Sequence, residues 1–196
     1  MAATLRARPE RVDIRSKQRN AAVLRARAML RSLVAMKKDL SWITVGGGRL
    51  AVGGRPKLTA FAAMAREGCT HILTLLSERE GASSLQGAAI LAGLTWLWLP
   101  LANGTPPPEG RDDDVRRALA DVHAALAAGG SVYVHCAAGI HRTGMIANAV
   151  LRAAGVSRED ALTALRAMRP LTGEGVGDVR IAWGDRFAHR GGPPLA

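Results

Sequence analysis

Short apolar runs alternate with amphipathic stretches over residues 40–196, and glycines separate most of them. The apolar runs are three to six residues long, the length typical of buried strands. Three glycines join the first two runs, which predicts a β-hairpin there. The predicted strands span residues 42–45, 50–52, 71–76, 95–99 and 131–134.

The stretches between these strands have helical spacing and recognisable ends. Asp112 is a predicted helix cap, Gly155 marks a helix end, and Ser157 begins a capping box. The predicted helices span residues 58–65, 84–92, 112–128, 143–154, 157–169 and 176–189, with a proline-rich loop at 100–110. Strands that alternate with helices predict an α/β fold, with a central, mostly parallel sheet of four to five strands flanked by helices.

The stretch with the clearest chemistry is residues 135–144, which read His-Cys-Ala-Ala-Gly-Ile-His-Arg-Thr-Gly between a predicted strand and a predicted helix. A cysteine is nucleophilic as the thiolate, and nearby positive charge or a helix N-terminus lowers its pKa. Cys136 precedes a helix start and shares its loop with Arg142, whose planar fork matches two phosphate oxygens. The loop therefore predicts a nucleophile inside an anion-binding site.

The other loop residues have supporting roles in this interpretation. Backbone N–H groups between the cysteine and the arginine are predicted to curl around an anion, and Gly139 suits a positive φ or a close backbone approach. Thr143 is placed to donate a hydrogen bond to the sulfur, and His135 to hold the loop or polarise the thiolate. His141 adds a donor or is simply an exposed loop residue. The predicted substrate-binding positions are Ala137, Ala138, Gly139, Ile140 and His141.

The pattern His-Cys-x-x-Gly-x-x-Arg-Ser/Thr-Gly resembles the signature loop of cysteine-dependent protein tyrosine and dual-specificity phosphatases, here of a small, atypical bacterial type. The resemblance implies a dual-specificity-phosphatase-like fold and a two-step hydrolysis through a cysteinyl-phosphate. It also implies a phosphorylated protein or small molecule as substrate, with phosphotyrosine or phosphoserine/threonine as the reacting group. No cofactor and no metal are expected.

One member of the family pattern is missing. These phosphatases carry an aspartate on a loop upstream of the cysteine, where it protonates the leaving oxygen. The matching position here holds Asn103, which cannot donate a proton in that way. Three alternatives stay open: a carboxylate from the end of the loop replaces it, the substrate is a phosphoanhydride or inositol phosphate, or the protein is a weakly active phosphate-binding module. The candidate carboxylates are Glu109, Asp112, Asp113 and Asp114.

Two related chemistries fit the loop less well. The ending His141-Arg142-Thr143-Gly144 resembles phosphatases that act on inositol pyrophosphates, but those carry more basic residues inside the loop than this chain does. A rhodanese-like or arsenate-reducing enzyme would be expected to have an additional cysteine near the nucleophile, and this chain has none there. A phosphatase of the dual-specificity type is therefore the favoured interpretation.

Basic charge is concentrated at one end of the chain. The formal net charge is +11, and residues 1–39 hold eleven basic and three acidic residues. Residues 20–36 have helical apolar spacing, which predicts a basic amphipathic helix in an N-terminal extension, followed by one phosphatase domain over residues 40–196. The helix suits either an acidic surface or packing on the domain. Aromatic residues make up 4% of the chain without an interleaved stacking pattern, so nucleic acid is not favoured.

Cysteine usage and hydropathy bear on the compartment. The chain has two cysteines, and a reactive-thiol motif favours a reducing environment. Cys69 is interpreted as a small core residue, with a redox disulfide to Cys136 as the alternative. No apolar run approaches the roughly 20 residues that span a bilayer, and a secretory signal is not recognised, so a cytoplasmic protein is expected.

Overall fold

A computed structural model describes residues 40–188 of the chain. The predicted N-terminal extension with its basic helix, and the last predicted helical residue at position 189, lie outside the described residues. Within residues 40–188, no helix combines the length and the apolar character that crossing a membrane requires.

A five-stranded sheet forms the centre of the fold, in the order β1-β2-β5-β3-β4. Strand β1 pairs antiparallel with β2, as the predicted hairpin requires, and the other three pairings are parallel. The predicted mostly parallel sheet is therefore confirmed. The strands are β1 Ile43–Val45, β2 Gly48–Gly53, β3 His71–Thr74, β4 Thr95–Trp98 and β5 Ser131–His135.

Seven α-helices of the described residues flank the sheet. They are α1 Phe61–Arg66, α2 Ala82–Leu91, α3 Asp112–Ala127, α4 His141–Ala153, α5 Arg158–Met168, α6 Pro170–Gly175 and α7 Asp178–Asp185. Three short 3-10 turns, at Leu58–Ala60, Glu78–Glu80 and Glu109–Arg111, lead into the first three of these helices.

The helix predictions are mostly confirmed, with three differences. The helix predicted over 176–189 spans only Asp178–Asp185. Asp112 lies inside the first turn of α3, because Arg111 is the residue at the helix cap and no side chain caps that end. Residues 170–175 form α6, which the sequence pattern did not predict because its glycines have low helix propensity. Pro170 occupies the first turn of this helix, where its missing N–H costs no hydrogen bond.

Strand β5 carries the candidate site into the middle of the fold. All five of its residues are buried, because β2 and β3 pair with it on either side. Cys136 follows directly at its carboxyl end, and α4 begins five residues later. In open α/β sheets this end of the strands is where ligands bind, so the sheet places residues 136–142 at the position expected for a site.

Candidate active site

The loop between β5 and α4 turns its carbonyl groups outward. The Cys136 oxygen lies 3.3 Å from Nδ1 of His135, and the backbone N–H of Arg55 donates to the Ala137 oxygen at 3.0 Å. A trans peptide is planar and its C=O and N–H point in opposite directions. Each outward carbonyl therefore turns the N–H of the following residue toward the inside of the loop.

The next two carbonyls are held by residues that follow α5. Nη1 of Arg169 donates to the Ala138 and Gly139 oxygens at 3.0 and 2.7 Å, and the Thr172 hydroxyl also donates to the Gly139 oxygen. Four consecutive loop carbonyls thus have partners outside the loop. The inward N–H groups that result form an anion-binding nest.

The sulfur of Cys136 lies within this nest. The N–H of Gly139 donates to it at 3.2 Å, and the residue is only 3% exposed. Burial by itself raises the pKa of a thiol, yet the pKa of Cys136 is lowered, since hydrogen bonds from the Thr143 side chain and from the backbone of Thr143, Gly139 and Ile140 outweigh burial. The N-terminus of α4 adds its positive dipole end. The site therefore favours the nucleophilic form of the cysteine.

Gly139 is required by the shape of the loop. Its φ is +71°, and a β-carbon there would lie 2.2 Å from the carbonyl carbon of Gly53 and 2.3 Å from the nitrogen of Gly54. The loop packs directly against the backbone that follows β2. The sequence interpretation of a positive φ at Gly139 is therefore confirmed.

Arg142 is buried and is held by Glu80. Its Nη1 and Nη2 donate to the two carboxylate oxygens of Glu80, both at 2.8 Å, and Nη1 also donates to the Leu101 oxygen at 2.9 Å. The hydrogen bond from Arg142 lowers the pKa of Glu80 to about 2. A carboxylate on one edge of the guanidinium thus fixes the direction of the whole group.

The opposite edge of Arg142 faces the cysteine. Its Nε–H and second Nη2–H donate to no oxygen of residues 40–188. The pKa of Arg142 is raised by Glu80 first and then by Cys136, while burial acts to lower it. A free two-proton edge beside a thiolate and a backbone nest matches two oxygens of a phosphate group.

His135 lies beneath the loop and is fully buried. Its Nε2 lies 2.9 Å from the hydroxyl of Thr74 on β3. Burial lowers the pKa of His135 to about 4, so the ring is neutral near physiological pH. It therefore supports the loop as a neutral hydrogen-bonding group, without a charge of its own.

His141 lies at the edge of the site, exposed on the first residue of α4. Gly104 of the upstream loop packs against it, because a β-carbon on Gly104 would come within 3.0 Å of the His141 β-carbon. Nε of Arg180 on α7 donates to the Gly104 oxygen. The upstream loop is thus fastened beside the signature loop, where the family places its acid.

Asn103 itself is exposed on this upstream loop. Its Oδ1 accepts from the backbone N–H of Thr105 at 2.9 Å, so the side chain closes a local turn. Asp112 accepts from Arg186 at 2.8 Å, and Asp114 pairs with Arg111 at 2.6 Å. These contacts occupy one carboxylate oxygen of each residue, while the other oxygen of Asp112 is buried without a hydrogen-bond partner in residues 40–188.

Several residues that build the site were not identified from the sequence. Glu80 lies 62 residues from its partner Arg142, and Arg169 and Thr172 lie 30 and 33 residues from their partner Gly139. Ser77 and Glu80 form a capping box, which is a visible local signal for a helix start. No local pattern links that box to Arg142, so the pairing required the fold.

The alternative of a redox disulfide is wrong. Cys69 and Cys136 are both free, and they lie near opposite ends of the sheet. The thiol of Cys69 donates to the oxygen of Ser131, the first residue of β5, whereas Cys136 follows the last one. Five residues of strand separate the two ends by roughly 16 Å, well beyond disulfide reach. The interpretation of Cys69 as a buried core residue is confirmed.

Comparisons with known proteins agree with the interpretation of residues 135–144 as a phosphatase signature loop. A model of the tyrosine phosphatase family matches residues 108–163, which include the whole signature. No curated protein sequence matches the chain significantly.

Solved structures share the fold. The kinase associated phosphatase has a TM-score of 0.61 at 17% identity and covers 74% of this chain and 91% of its own. Tk-PTP in its active form has a TM-score of 0.60 at 18% identity, with 78% and 97% covered. PTPMT1 has a TM-score of 0.56 at 22% identity, with 74% and 92% covered. In its signature loop, in its match to the tyrosine phosphatase family model over residues 108–163 and in its fold, the chain is similar to cysteine-dependent tyrosine and dual-specificity phosphatases.

Proposed function

We propose that the protein is a cysteine-dependent phosphatase that hydrolyses phosphate monoesters with aryl leaving groups, phosphotyrosine foremost, through a cysteinyl-phosphate. The observation that carries the proposal is the cradle around Cys136. Inward N–H groups and the free edge of Arg142 surround a sulfur whose pKa is lowered. Such a cradle binds the phosphate oxygens and stabilises charge that develops on them in the transition state.

In the first step, the thiolate of Cys136 attacks phosphorus. A sulfur–phosphorus bond forms while the bond from phosphorus to the leaving oxygen breaks, and that oxygen keeps the electron pair. Arg142 and the loop N–H groups hold the other three oxygens through this change. Water protonates the departed oxygen.

In the second step, water attacks the phosphorus of the cysteinyl-phosphate. An oxygen–phosphorus bond forms, the sulfur–phosphorus bond breaks, and the electron pair returns to Cys136 as a thiolate. A water proton passes to the solvent, and inorganic phosphate leaves. The hydroxyl of Thr143, which lowers the pKa of Cys136, stabilises the departing thiolate in the same way.

The preference for aryl esters follows from the residue at position 103. Asn103 carries no acidic proton, and its Oδ1 is engaged by Thr105. A phenol has a pKa of about 10, whereas an alkyl alcohol resembles water at about 15.7. Without a proton donor the phenolate departs far more readily than the alkoxide, so phosphotyrosine is a better substrate than phosphoserine or phosphothreonine.

A second candidate activity rests on the same lack of a proton donor at position 103. In a phosphoanhydride the leaving group is itself a phosphate, which departs without protonation. The exposed arginine after β2, Arg55, and the half-buried Arg169 both lie against the loop and add positive charge around it. A polyphosphate is therefore the alternative substrate class.

The test is phosphate release by the purified full chain from 4-nitrophenyl phosphate, phosphotyrosine and phosphoserine peptides, and a phosphoanhydride. Cys136→Ser is expected to abolish release, while the matched variant Cys69→Ser retains it. Asn103→Asp is expected to raise phosphoserine turnover about tenfold or more, and 4-nitrophenyl phosphate turnover little.

Three results would contradict the proposal. Retained phosphopeptide binding without any release from these substrates would identify a phosphate-binding module. Release that survives Cys136→Ser would exclude the cysteinyl-phosphate. Phosphoserine turnover equal to that of phosphotyrosine, unchanged in Asn103→Asp, would show that another group donates the proton.

A further inference from the structure

Asn103 is followed by a glycine in the upstream loop. The chain has two other asparagines, Asn20 and Asn148, and each of them precedes an alanine. In an asparagine–glycine pair the backbone nitrogen of the glycine reaches the side-chain amide carbon easily, because no β-carbon hinders its approach. The two atoms can close a five-membered succinimide ring, which water then opens. Water reaches this site, because Asn103 is exposed.

The hydrogen bonds of Asn103 favour this ring closure. Its Oδ1 accepts from the backbone N–H of Thr105 at 2.9 Å and from the Thr105 hydroxyl. Negative charge develops on Oδ1 when a nitrogen attacks the amide carbon, and donors that already point at this oxygen stabilise that charge. The Nδ2 group donates to no oxygen of residues 40–188, so no hydrogen bond there holds the group that has to leave.

The fold adds a base beside the attacking nitrogen. The imidazole of His141 lies against the Gly104 backbone, since its Nδ1 is 3.3 Å from the position that a β-carbon of Gly104 would occupy. An imidazole accepts protons near physiological pH, and the Gly104 nitrogen must lose its proton in order to attack. His141 is therefore placed to take that proton.

We propose that Asn103 is a self-modification site, where reaction with Gly104 and water converts the asparagine to aspartate and so supplies the proton donor that the chain lacks at position 103. The proposal rests on the proposed function of the Cys136 loop as a phosphatase site. With time the protein gains an activity toward alkyl phosphate esters that the newly made chain has only weakly.

The reaction needs no reagent besides water. The Gly104 nitrogen bonds to Cγ of Asn103 and gives up its proton, the bond from Cγ to Nδ2 breaks, and Nδ2 takes that electron pair and a proton to leave as ammonia. Water next adds to one of the two carbonyl carbons of the ring. Breaking of the bond from Cγ to the Gly104 nitrogen gives aspartate, and breaking on the backbone side gives isoaspartate. One water is consumed, one ammonia is released, and nothing is oxidised or reduced.

Only the aspartate product keeps its carboxyl group in place. One of its oxygens retains the hydrogen bonds from Thr105, and the other replaces Nδ2 and can carry a proton. The neighbouring backbone stays fixed, because Arg180 donates to the Gly104 oxygen and His141 packs against the same residue. Isoaspartate instead adds a methylene group to the backbone, which displaces its carboxyl group. Activity toward alkyl esters should therefore follow the aspartate fraction alone.

The first measurement follows the side chain itself. Full-length protein, purified quickly at mildly acid pH, is incubated at neutral pH in ¹⁸O-labelled water and sampled by peptide-resolved mass spectrometry. The label separates conversion during the incubation from conversion during the digest, and electron-transfer fragmentation separates aspartate from isoaspartate. Asn148 is the internal control, because it is fully buried in α4 and its Nδ2 donates to the Ile181 oxygen at 3.0 Å. It should stay an amide.

Variants of the full chain test each part of the site. Gly104→Ala should slow conversion about tenfold or more, because a β-carbon hinders the nitrogen. Thr105→Val removes one donor to Oδ1 and should slow conversion roughly threefold, whereas Thr105→Ser keeps the rate. His141→Gln should slow conversion in the folded protein but not in the urea-unfolded chain, where the imidazole is no longer beside Gly104. If Gly104→Ala does not fold, the contrast between Thr105→Val and Thr105→Ser decides.

The second measurement is turnover of a phosphoserine peptide and of 4-nitrophenyl phosphate. Phosphoserine turnover should rise with incubation time in proportion to the aspartate fraction, toward the value of Asn103→Asp, while 4-nitrophenyl phosphate turnover changes little. Gly104→Ala should gain no phosphoserine turnover over the same period. The two substrates thus separate a gained proton donor from a general change in the enzyme.

Two outcomes would overturn the proposal. One is an intact amide at position 103 in the folded protein under conditions that convert the unfolded chain, which would mean that the fold protects the site. The other is conversion to aspartate without a gain in phosphoserine turnover, in a preparation that still releases phosphate from 4-nitrophenyl phosphate. Failure of the proposed function is a different result, in which fresh protein and Asn103→Asp are both inactive on both substrates. The mass measurement alone then decides whether Asn103 is a modification site.

Discussion

The two cysteines of this chain are equally buried and have opposite chemistry. Cys69 and Cys136 are each 3% exposed. Burial raises the pKa of Cys69 to about 11, while the pKa of Cys136 is lowered although burial acts against it too. The difference between them therefore does not come from exposure. It comes from which atoms surround each sulfur.

The two sulfurs lie near opposite ends of the parallel sheet. Near the amino end, the Cys69 thiol donates to the carbonyl oxygens of His71 and Ser131, an arrangement that requires its proton. At the carboxyl end, Cys136 accepts from Gly139 and lies at the N-terminus of α4. Donors stabilise a thiolate and acceptors stabilise a thiol. Backbone hydrogen bonds from His71 and Tyr133 also act to lower the pKa of Cys69 but do not outweigh burial there, whereas the donors around Cys136 do.

Alkylation should reveal the largest difference between the two ends. With a pKa of about 11, Cys69 is ionised to about one part in ten thousand near neutral pH. Iodoacetamide is expected to modify Cys136 at least about a thousandfold faster than Cys69, by peptide-resolved mass spectrometry. Comparable rates in the folded protein would contradict the assignment of donors and acceptors.

Substitution of one arginine near each end of the sheet should give nearly as large a difference in kcat. Arg142→Lys keeps the charge but loses the two-proton edge, so kcat on 4-nitrophenyl phosphate should fall about a hundredfold or more. Arg49→Lys is the matched variant near Cys69, where Arg49 donates to the Ser131 hydroxyl at 3.1 Å. It should change turnover less than about twofold, the difference expected for a residue outside the site. Equal losses in the two variants would show that the fall in kcat does not come from the edge that Arg142 presents to the phosphate.

A glycine with positive φ at each end offers a comparison of stability. At Gly139 a β-carbon would meet backbone at 2.2 Å, whereas at Gly68 it would meet only the flexible end of Arg49 at 2.9 Å. Gly139→Ala should cost about 2–4 kcal/mol of unfolding free energy, and Gly68→Ala about 1 kcal/mol. Urea unfolding measures both. A smaller cost at Gly139 would mean that the loop can move away from Gly53.

The smallest effect expected is the contribution of Glu80 to the pH dependence of the unfolding free energy. Because its pKa falls from 4.5 to about 2 on folding, its stabilisation is present above pH 4.5 and is lost as pH falls toward 2. Its side chain is 32% exposed, so solvent screening leaves about 1–2 kcal/mol.

Glu80→Gln should remove this stabilisation near neutral pH and flatten the acid limb of the stability curve, measured by urea unfolding at a series of pH values. The exposed Glu67, beside Cys69, supplies the control, and Glu67→Gln should stay within about 0.5 kcal/mol. An unchanged acid limb in Glu80→Gln would mean that Arg142 does not depend on this partner.

Much of the fold was predictable because its signals are local. Glycines and apolar runs mark the strands and most helices, and Ser157 caps α5 by accepting from the backbone of Asp160 at 3.0 Å. Helix α6 was missed because its glycines read as loop, although packing stabilises it as a helix. Asp112 was misplaced by one position, since its side chain bonds to Arg186, which follows α7, instead of the helix end.

The candidate site was predictable where its residues are contiguous. Cys136, Arg142 and Gly139 lie in one short loop, and chemistry alone relates a thiol, a guanidinium and a flexible backbone to phosphate. Asn103 was also visible, because its position in the upstream loop is set by sequence order. The partners Glu80 and Arg169 were not visible, since no local pattern relates them to the loop that they hold.

The sequence by itself determined the nucleophile, the arginine and the absence of an aspartate at position 103, because these depend on residue type and spacing. Only the tertiary structure decided that one buried cysteine is a thiolate and the other a thiol. That outcome depends on the donors around Cys136, on the carboxylate of Glu80 behind Arg142, and on groups that hold four loop carbonyls outward. Glu80, Arg55 and Arg169 reach the loop from segments far apart in the chain, which folding alone brings together.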